Sequence, residues 1–175
     1  QFDGLLVSGP ISVSGVGALS GSALAFDNVD DGVLVKNFGT AVPTNEITVE
    51  FWQRLAITNV NQTSFYLSPN PTGNRFSFSD RADGSVIWDF GDINGNTGRL
   101  WSAPALLAAG AWQHIALVAR ASPATNYMAI YCNGVLKTNR AAAALITSKF
   151  VIVASVAAFD ASTTPNDQTT PFGVA

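Results

Sequence analysis

Residues 112–138 read WQHIALVARASPATNYMAIYCNGVLKT, and the fold turns on how this stretch is parsed. The segments 114–120 (HIALVAR) and 127–132 (YMAIYC) are short, apolar and bounded by turn-forming residues, a pattern that predicts two strands central in a sheet. Asn133-Gly134 follows at once, then Val135. Both residues of an Asn-Gly pair tolerate positive φ, so the dipeptide predicts a type I′ turn and a hairpin into a strand over 135–138.

The same two-residue period extends outward. Residues 46–57 (EITVEFWQRLAI) alternate Ile47, Val49 and Phe51 on one face with Thr48, Glu50 and Trp52 on the other, the pattern of a half-buried strand. Segments 75–78 and 85–90 form a further strand pair, joined by residues 80–84, whose Asp83-Gly84 ending is a hairpin signal. Strands recurring every ~8–12 residues indicate a sandwich, so the fold class is all-β with two stacked antiparallel sheets. Residues 103–111 (APALLAAGA) and 141–145 (AAAAL) are compatible with one helical turn each, too short for stable helices. The expected organisation is a single domain over 1–160, with 1–13 as an N-terminal arm or edge strand. Residues 161–175 carry two prolines and few apolar side chains, and are expected to form an extended or disordered tail.

Composition narrows the partners. Nine Lys and Arg against twelve Asp and Glu give a net charge of −3, which offers no basic surface for nucleic acid. Charged residues make up 12% of the chain, against about a quarter in ordinary domains. So thinly charged a surface suits an extracellular medium, a cell surface, a particle exterior or burial against neighbouring subunits. No apolar run approaches the ~20 residues of a membrane span, which argues against insertion. The first residue is Gln1, not Met, as expected of a chain that has lost a leader or belongs to a longer polypeptide. Cys132 is the sole cysteine, which excludes an internal disulfide and a cysteine zinc site. In an alternating strand it reads as a buried residue. Asn61-Gln62-Thr63 is a glycosylation acceptor by pattern.

Two stretches carry chemistry. Residues 26–35 (FDNVDDGVLV) hold Asp27, Asp30 and Asp31, either a polar turn into a strand at 33–35 or a set of hard oxygen ligands for calcium. Residues 88–96 (WDFGDINGN) and Trp101 set aromatic rings beside short polar groups, the composition that stacks on a pyranose and orients its hydroxyls. Trp88, Asp89, Asp92, Asn94, Asn96 and Trp101 are therefore candidate ligand-binding residues. The alternative is that Trp88 and Trp101 cap the core while the Asp, Asn and Gly residues make turns. Trp52 and Trp112 are expected in the core, and His114 in a packed or capping role. Glu46 and Glu50 are the only glutamates, without a Glu-x-Asp-x-x-Glu pattern, and no serine elbow is present, so no catalytic residues are assigned.

The order of motifs resembles the laminin G-like, concanavalin A-like lectin/glucanase superfamily. The resemblance runs through Ser22-Ala23-Leu24-Ala25-Phe26-Asp27, Asp30-Asp31-Gly32-Val33, Ile47-Thr48-Val49-Glu50-Phe51-Trp52, Trp112-Gln113-His114-Ile115-Ala116-Leu117-Val118 and Tyr131-Cys132-Asn133-Gly134-Val135. It covers residues 22 to 155 and implies a jelly-roll sandwich, a rim calcium site, and recognition, adhesion or carbohydrate binding outside the cell. One departure stands out: a closing strand of the Gly-x-Ile-Asp-Glu-Val kind has no counterpart after Phe150-Val151-Ile152-Val153. Residues 2–13, the tail or another chain would have to supply it. The sequence thus points to a noncatalytic module that binds glycans or proteins through rim loops. The competing expectation is a structural subunit that self-associates through open edges and terminal arms into a filament, shell or coat.

Overall fold

The computed structural model describes residues 4–16, 21–27, 29–35, 46–67, 74–92, 98–120 and 126–142. These form β1 Gly4–Val7, β2 Ile11–Ser14, β3 Ser22–Ala25, β4 Gly32–Val35, β5 Glu46–Gln53 and β6 Gln62–Leu67, then β7 Asn74–Asp80, β8 Val86–Asp92, β9 Arg99–Trp101, β10 Gln113–Arg120, β11 Asn126–Cys132 and β12 Val135–Ala142. One four-stranded sheet runs β12-β11-β10-β5 and another β6-β7-β8-β9; β1 pairs with β4, and β2 with β3, as two-stranded ladders. Every pairing is antiparallel.

The hairpin that decides the fold forms as its residues require. Asn133 and Gly134 sit at φ 51° and 75°, the conformation a type I′ turn demands. Its tip is tied to the neighbouring strand: Asn133 N–H donates to His114 O at 2.8 Å, and His114 N–H donates to Asn133 Oδ1 at 2.9 Å. β12 runs on to Ala142, further than the expected 135–138, because Thr138 to Ala142 continue the ladder beyond a bulge at Ile130/Tyr131. The β7–β8 turn is closed by Gly84 N–H donating to Arg81 O at 2.8 Å. Gly84 has φ 74°, and a Cβ there would lie 3.1 Å from Ala105 Cα, so side chains are excluded twice over.

No helical turn forms at 103–111. Its N–H groups pair elsewhere: Ala105 with Asp83 O, Leu107 with Gly84 O, Gly110 with Leu55 O and Ala108 with Gln113 Oε1. Ala105 also takes φ 58°, outside the helical region. Of the three sources named for a closing strand, the described part of residues 2–13 joins neither four-stranded sheet, since β1 and β2 pair with β4 and β3. Residues 150–153 and the tail 161–175 lie outside the described residues.

The core lies between the two larger sheets. Phe65, Phe78, Val86, Trp88, Phe90 and Leu100 from one meet Ile115, Leu117, Ala119, Met128, Ile130 and Cys132 from the other. Phe51 crosses over to meet Phe65 and Phe78 edge-on, at ring-centroid separations of 5.9 and 5.3 Å. Trp88, fully buried, donates its indole N–H to Val118 O on the facing sheet at 3.3 Å. Cys132 is buried as expected, which pushes its thiol pKa up.

One polar group is enclosed with the core. Asp80 is buried with Gln53 and Ser64, and Ser64 Oγ lies 3.1 Å from both Gln53 Oε1 and Asp80 Oδ2. A hydroxyl has one proton, so with a neutral Asp80 the chain of donors runs from the carboxyl to Ser64 and from Ser64 to Gln53. Burial raises the Asp80 pKa to about 7, the hydrogen bonds to Ser64 and Gln53 only partly opposing. The native state therefore holds a proton that the unfolded chain releases near the ordinary carboxyl value of 3.8. Stability from this group is complete below that value, falls as pH rises to about 7, and is flat above. Urea unfolding of the wild type should lose up to about 1.4 kcal/mol per pH unit across this window. Asp80→Asn, neutral throughout, should remove that slope; equal slopes in the two proteins would refute the assignment.

Candidate functional site

Strand parity sorts the predicted ligand residues. β8 alternates Val86, Trp88 and Phe90 into the core with Ile87 and Asp89 on the opposite face, so Trp88 and Asp89 cannot share a surface. Trp88 is a core residue wholly out of reach of a ligand, which corrects its assignment to an exposed platform. Asp89 is also buried. Arg99 lies beside it on β9, with Nε donating to Asp89 Oδ1 at 2.6 Å and Nη2 to Oδ2 at 2.8 Å. Ser77 Oγ adds a longer contact to Oδ2 at 3.4 Å. Asp89 thus positions an arginine, and its oxygens are not presented to a ligand. The doubled hydrogen bond holds the Arg99 pKa above its ordinary value.

Trp101 is where the expectation and the structure meet. It stands opposite Ile87 in register and is 45% exposed, on the outer face of its sheet. Two guanidiniums flank the indole: Arg99 with its carbon 5.7 Å from the ring centroid and Arg81 at 5.8 Å. Arg81 comes from the β7–β8 turn, where its N–H donates to Ser85 O at 2.9 Å. In the same turn Ser85 N–H donates to Asp83 Oδ1 at 2.9 Å, and Ser85 holds the Asp83 pKa below its ordinary value. Neither arginine was marked by the sequence pattern. The available signal was the register of a hairpin that sets Arg99 across from Asp89. Asp92 ends β8 opposite Asn74, and Asn94 and Asn96 lie outside the described residues.

The acidic turn brings its three carboxylates together. One oxygen from each of Asp27, Asp30 and Asp31 lies within 4.8 Å of the others. Hydrogen bonds inside the turn set their directions: Asp27 N–H donates to Asp31 Oδ2 at 2.9 Å, and Val29 N–H to Asp27 Oδ1 at 2.8 Å. Among the described residues these contacts leave other oxygens of the trio without a partner, and hard carboxylate oxygens at this spacing fit calcium.

The second outer face departs from expectation. Trp52, expected in the core, is 45% exposed, and its ring meets His114 at 5.2 Å between centroids. Trp112 is half-buried with Arg54 over its ring at 5.6 Å, and His114 Nε2 is 4.0 Å from Glu50 Oε2. The reason is again parity: Ile47, Val49 and Phe51 pack on the core, so Glu50 and Trp52 must point away.

These features define a two-sheet antiparallel sandwich with polar-flanked aromatic side chains on its outer faces. A laminin G-type family model, described as the concanavalin A-like lectin/glucanases superfamily, matches residues 27–164, and the chain belongs to that superfamily. No curated protein sequence matches it. Among solved structures, the CBM40 of the Ruminococcus gnavus IT-sialidase aligns at 17% identity and TM-score 0.48, over 64% of this chain and 62% of that one. The same CBM40 bound to α2,3-sialyllactose aligns at 16% identity and TM-score 0.47, over 81% and 68%. An S-layer domain-containing protein from Clostridium thermocellum aligns at 24% identity and TM-score 0.45, over 81% and 62%. The chain thus spans 62% of the length of the first two of these proteins to be compared, the free CBM40 and the S-layer protein.

Removing Arg99 leaves a buried carboxylate unpaired. Arg99→Met should destabilise by about 3–5 kcal/mol, whereas the double change with Asp89→Leu should recover much of that loss. Additive losses in chemical denaturation would count against the pair as the support of this face.

Proposed function

We propose that this chain is a noncatalytic recognition module that works outside a cell or on a particle exterior and binds a glycan against the Trp101 face. The observation that carries the reading is an exposed indole bracketed by Arg81 and Arg99, with Arg99 fixed by a buried carboxylate. The ring offers a stacking surface for the C–H face of a sugar, and the guanidiniums offer donors to hydroxyls at its border. Because Asp89 already fixes Arg99, little side-chain freedom is lost on binding. Membership of the lectin-containing superfamily is in keeping with this. The two glutamates are in keeping with the noncatalytic reading: Glu46 pairs with Arg120 at 2.8 Å, and Glu50 Oε2 lies 4.0 Å from His114 Nε2.

Glycan-array binding followed by titration of the best hit tests the reading. Trp101→Ala should lower affinity about tenfold or more with little change in melting temperature, as stacking energies imply. Unchanged affinity would dismiss this face. Calcium at the Asp27, Asp30 and Asp31 turn belongs to the same proposal. Calorimetric titration of calcium should give one site, abolished in Asp30→Asn, and a heatless titration would remove the metal from the account.

A second reading, self-assembly, is favoured by the apolar N-terminal ladders, where Leu5, Leu6 and Ile11 are 54%, 50% and 64% exposed. Light scattering on the purified chain separates the two: a monomer supports the binding module, and a large oligomer dispersed by Leu5→Lys with Ile11→Lys supports the subunit.

A further inference from the structure

The outer face of the β5–β10–β11–β12 sheet carries its own constellation, on the far side of the sandwich from Trp101. β5 and β10 run side by side with Trp52 opposite His114 and Glu50 opposite Ala116, and Ala116 is in turn opposite Tyr131. Around the small Ala116 therefore stand Trp52, His114 and Tyr131, with Trp112 and its capping Arg54 one step further along. Tyr131 is steadied by a hydrogen bond with Tyr127, which raises the Tyr127 pKa. His114 is fixed through its backbone by Asn133, so the hairpin tip sets its position.

We propose that this face is a second ligand platform and that its ligand is an uncharged hexose polymer. A Trp on a sheet face belongs either in a covered core or on a contact surface, and Trp52 at 45% exposure is not covered. Charge decides the chemistry of the partner. Arg54 and Arg120 are matched in number by Glu46 and Glu50 on and beside β5 and β10, Arg120 pairing with Glu46 at 2.8 Å, so the charges around Trp52 favour neither an acidic nor a basic ligand. A protein partner would favour a charge-depleted apolar centre. Here the rings are interleaved with Glu50, His114 and Arg54, each a donor or acceptor within reach of a stacked sugar's hydroxyls. The small side chain of Ala116, opposite Glu50 and Tyr131 in register, leaves room between the rings for an extended chain lying across the strands. The two faces do not depend on one another, so a module with both can bridge two polymer chains.

Cellohexaose, laminarihexaose and mannohexaose are the probes. Each is titrated into the ¹⁵N-labelled full chain and into its Trp52→Ala, Trp52→Phe and Trp101→Ala variants. With at least one hexaose, the Trp52 and Trp112 indole N–H signals and the amides of residues 114–116 should shift. The shifts should persist in Trp101→Ala, weaken about tenfold or more in Trp52→Ala, and largely return in Trp52→Phe. Shifts confined to the surroundings of Trp101 would overturn this platform and leave the Trp101 reading standing. Shifts confined to Trp52 and Trp112 would do the reverse. Silence with all three sugars, equal affinity in Trp52→Ala, or the same signals moving with protein concentration alone would each overturn it, the last in favour of a second copy of the chain.

Discussion

The indole of Trp88 reaches across the sandwich to the carbonyl of Val118, and most of the molecule is arranged by that contact. The ring is fully enclosed, so it must point inward, and the two-residue period of β8 then sends Ile87 and Asp89 outward. Antiparallel register carries the decision to the neighbouring strand. Leu100 is drawn inward beside Trp88, while Arg99 and Trp101 are left facing out beside Asp89 and Ile87. On the other sheet Ile115, Leu117 and Ala119 fill the inner side, which commits His114, Ala116 and Val118 to the outside. The placement of the candidate ligand residues is thus a consequence of core packing, through parity alone.

Much of this was legible before any coordinates. The Asn133-Gly134 and Asp83-Gly84 turns, and the four strands they join, followed from backbone preferences that act within a few residues. Trp101 was legible only as one of two readings, a ligand-facing ring or a cap on the core, and it stands 45% exposed. Trp88 and Asp89 were misjudged together because a composition argument treats neighbours in sequence as neighbours in space, and a strand separates them by its whole thickness. Trp52 is more instructive. The alternation of residues 46–57 put it on the polar side with Thr48 and Glu50, where it is found, yet the residue type suggested the core. Periodicity was the sounder guide, since it follows from geometry that every strand shares, whereas the burial preference of tryptophan is an average over many environments. The Arg81 and Arg99 partners were not legible, because they meet Trp101 through a turn closure and a register set by long-range pairing.

The irregular segment 103–111 ties three parts of the sandwich together. Lacking a helix, it places its N–H groups on Asp83, Gly84, Leu55 and Gln113, so one stretch fastens the β7–β8 turn, the end of β5 and the start of β10. Gln113 returns a second bond to Leu106 O at 3.2 Å and turns its remaining donor capacity toward Cys132 Sγ. Arg81 and Trp112 both belong to elements anchored by this clasp. The aromatic side chains of both outer faces are thereby supported from beneath by hydrogen bonds that no ligand needs to form.

Electrostatics separates the two outer faces from the N-terminal ladders. Arg99 is committed to Asp89 and Arg120 to Glu46, so the charges on each sheet face are largely spent within the chain. With charged residues at 12% of the sequence, little long-range repulsion remains to keep copies of the molecule apart. What then governs association is local surface character. On the sheet faces, rings are flanked by guanidinium, imidazole or carboxylate groups, and water competes well for such borders unless a ligand replaces each hydrogen bond. On β1 and β2, Leu5, Leu6 and Ile11 stand exposed on short two-stranded ladders, where burial of apolar area is favourable without any such replacement. The same low charge therefore has opposite effects in the two places: on the sheets it leaves recognition to stacking and hydrogen bonding, and at the N-terminal ladders it leaves apolar contact unopposed.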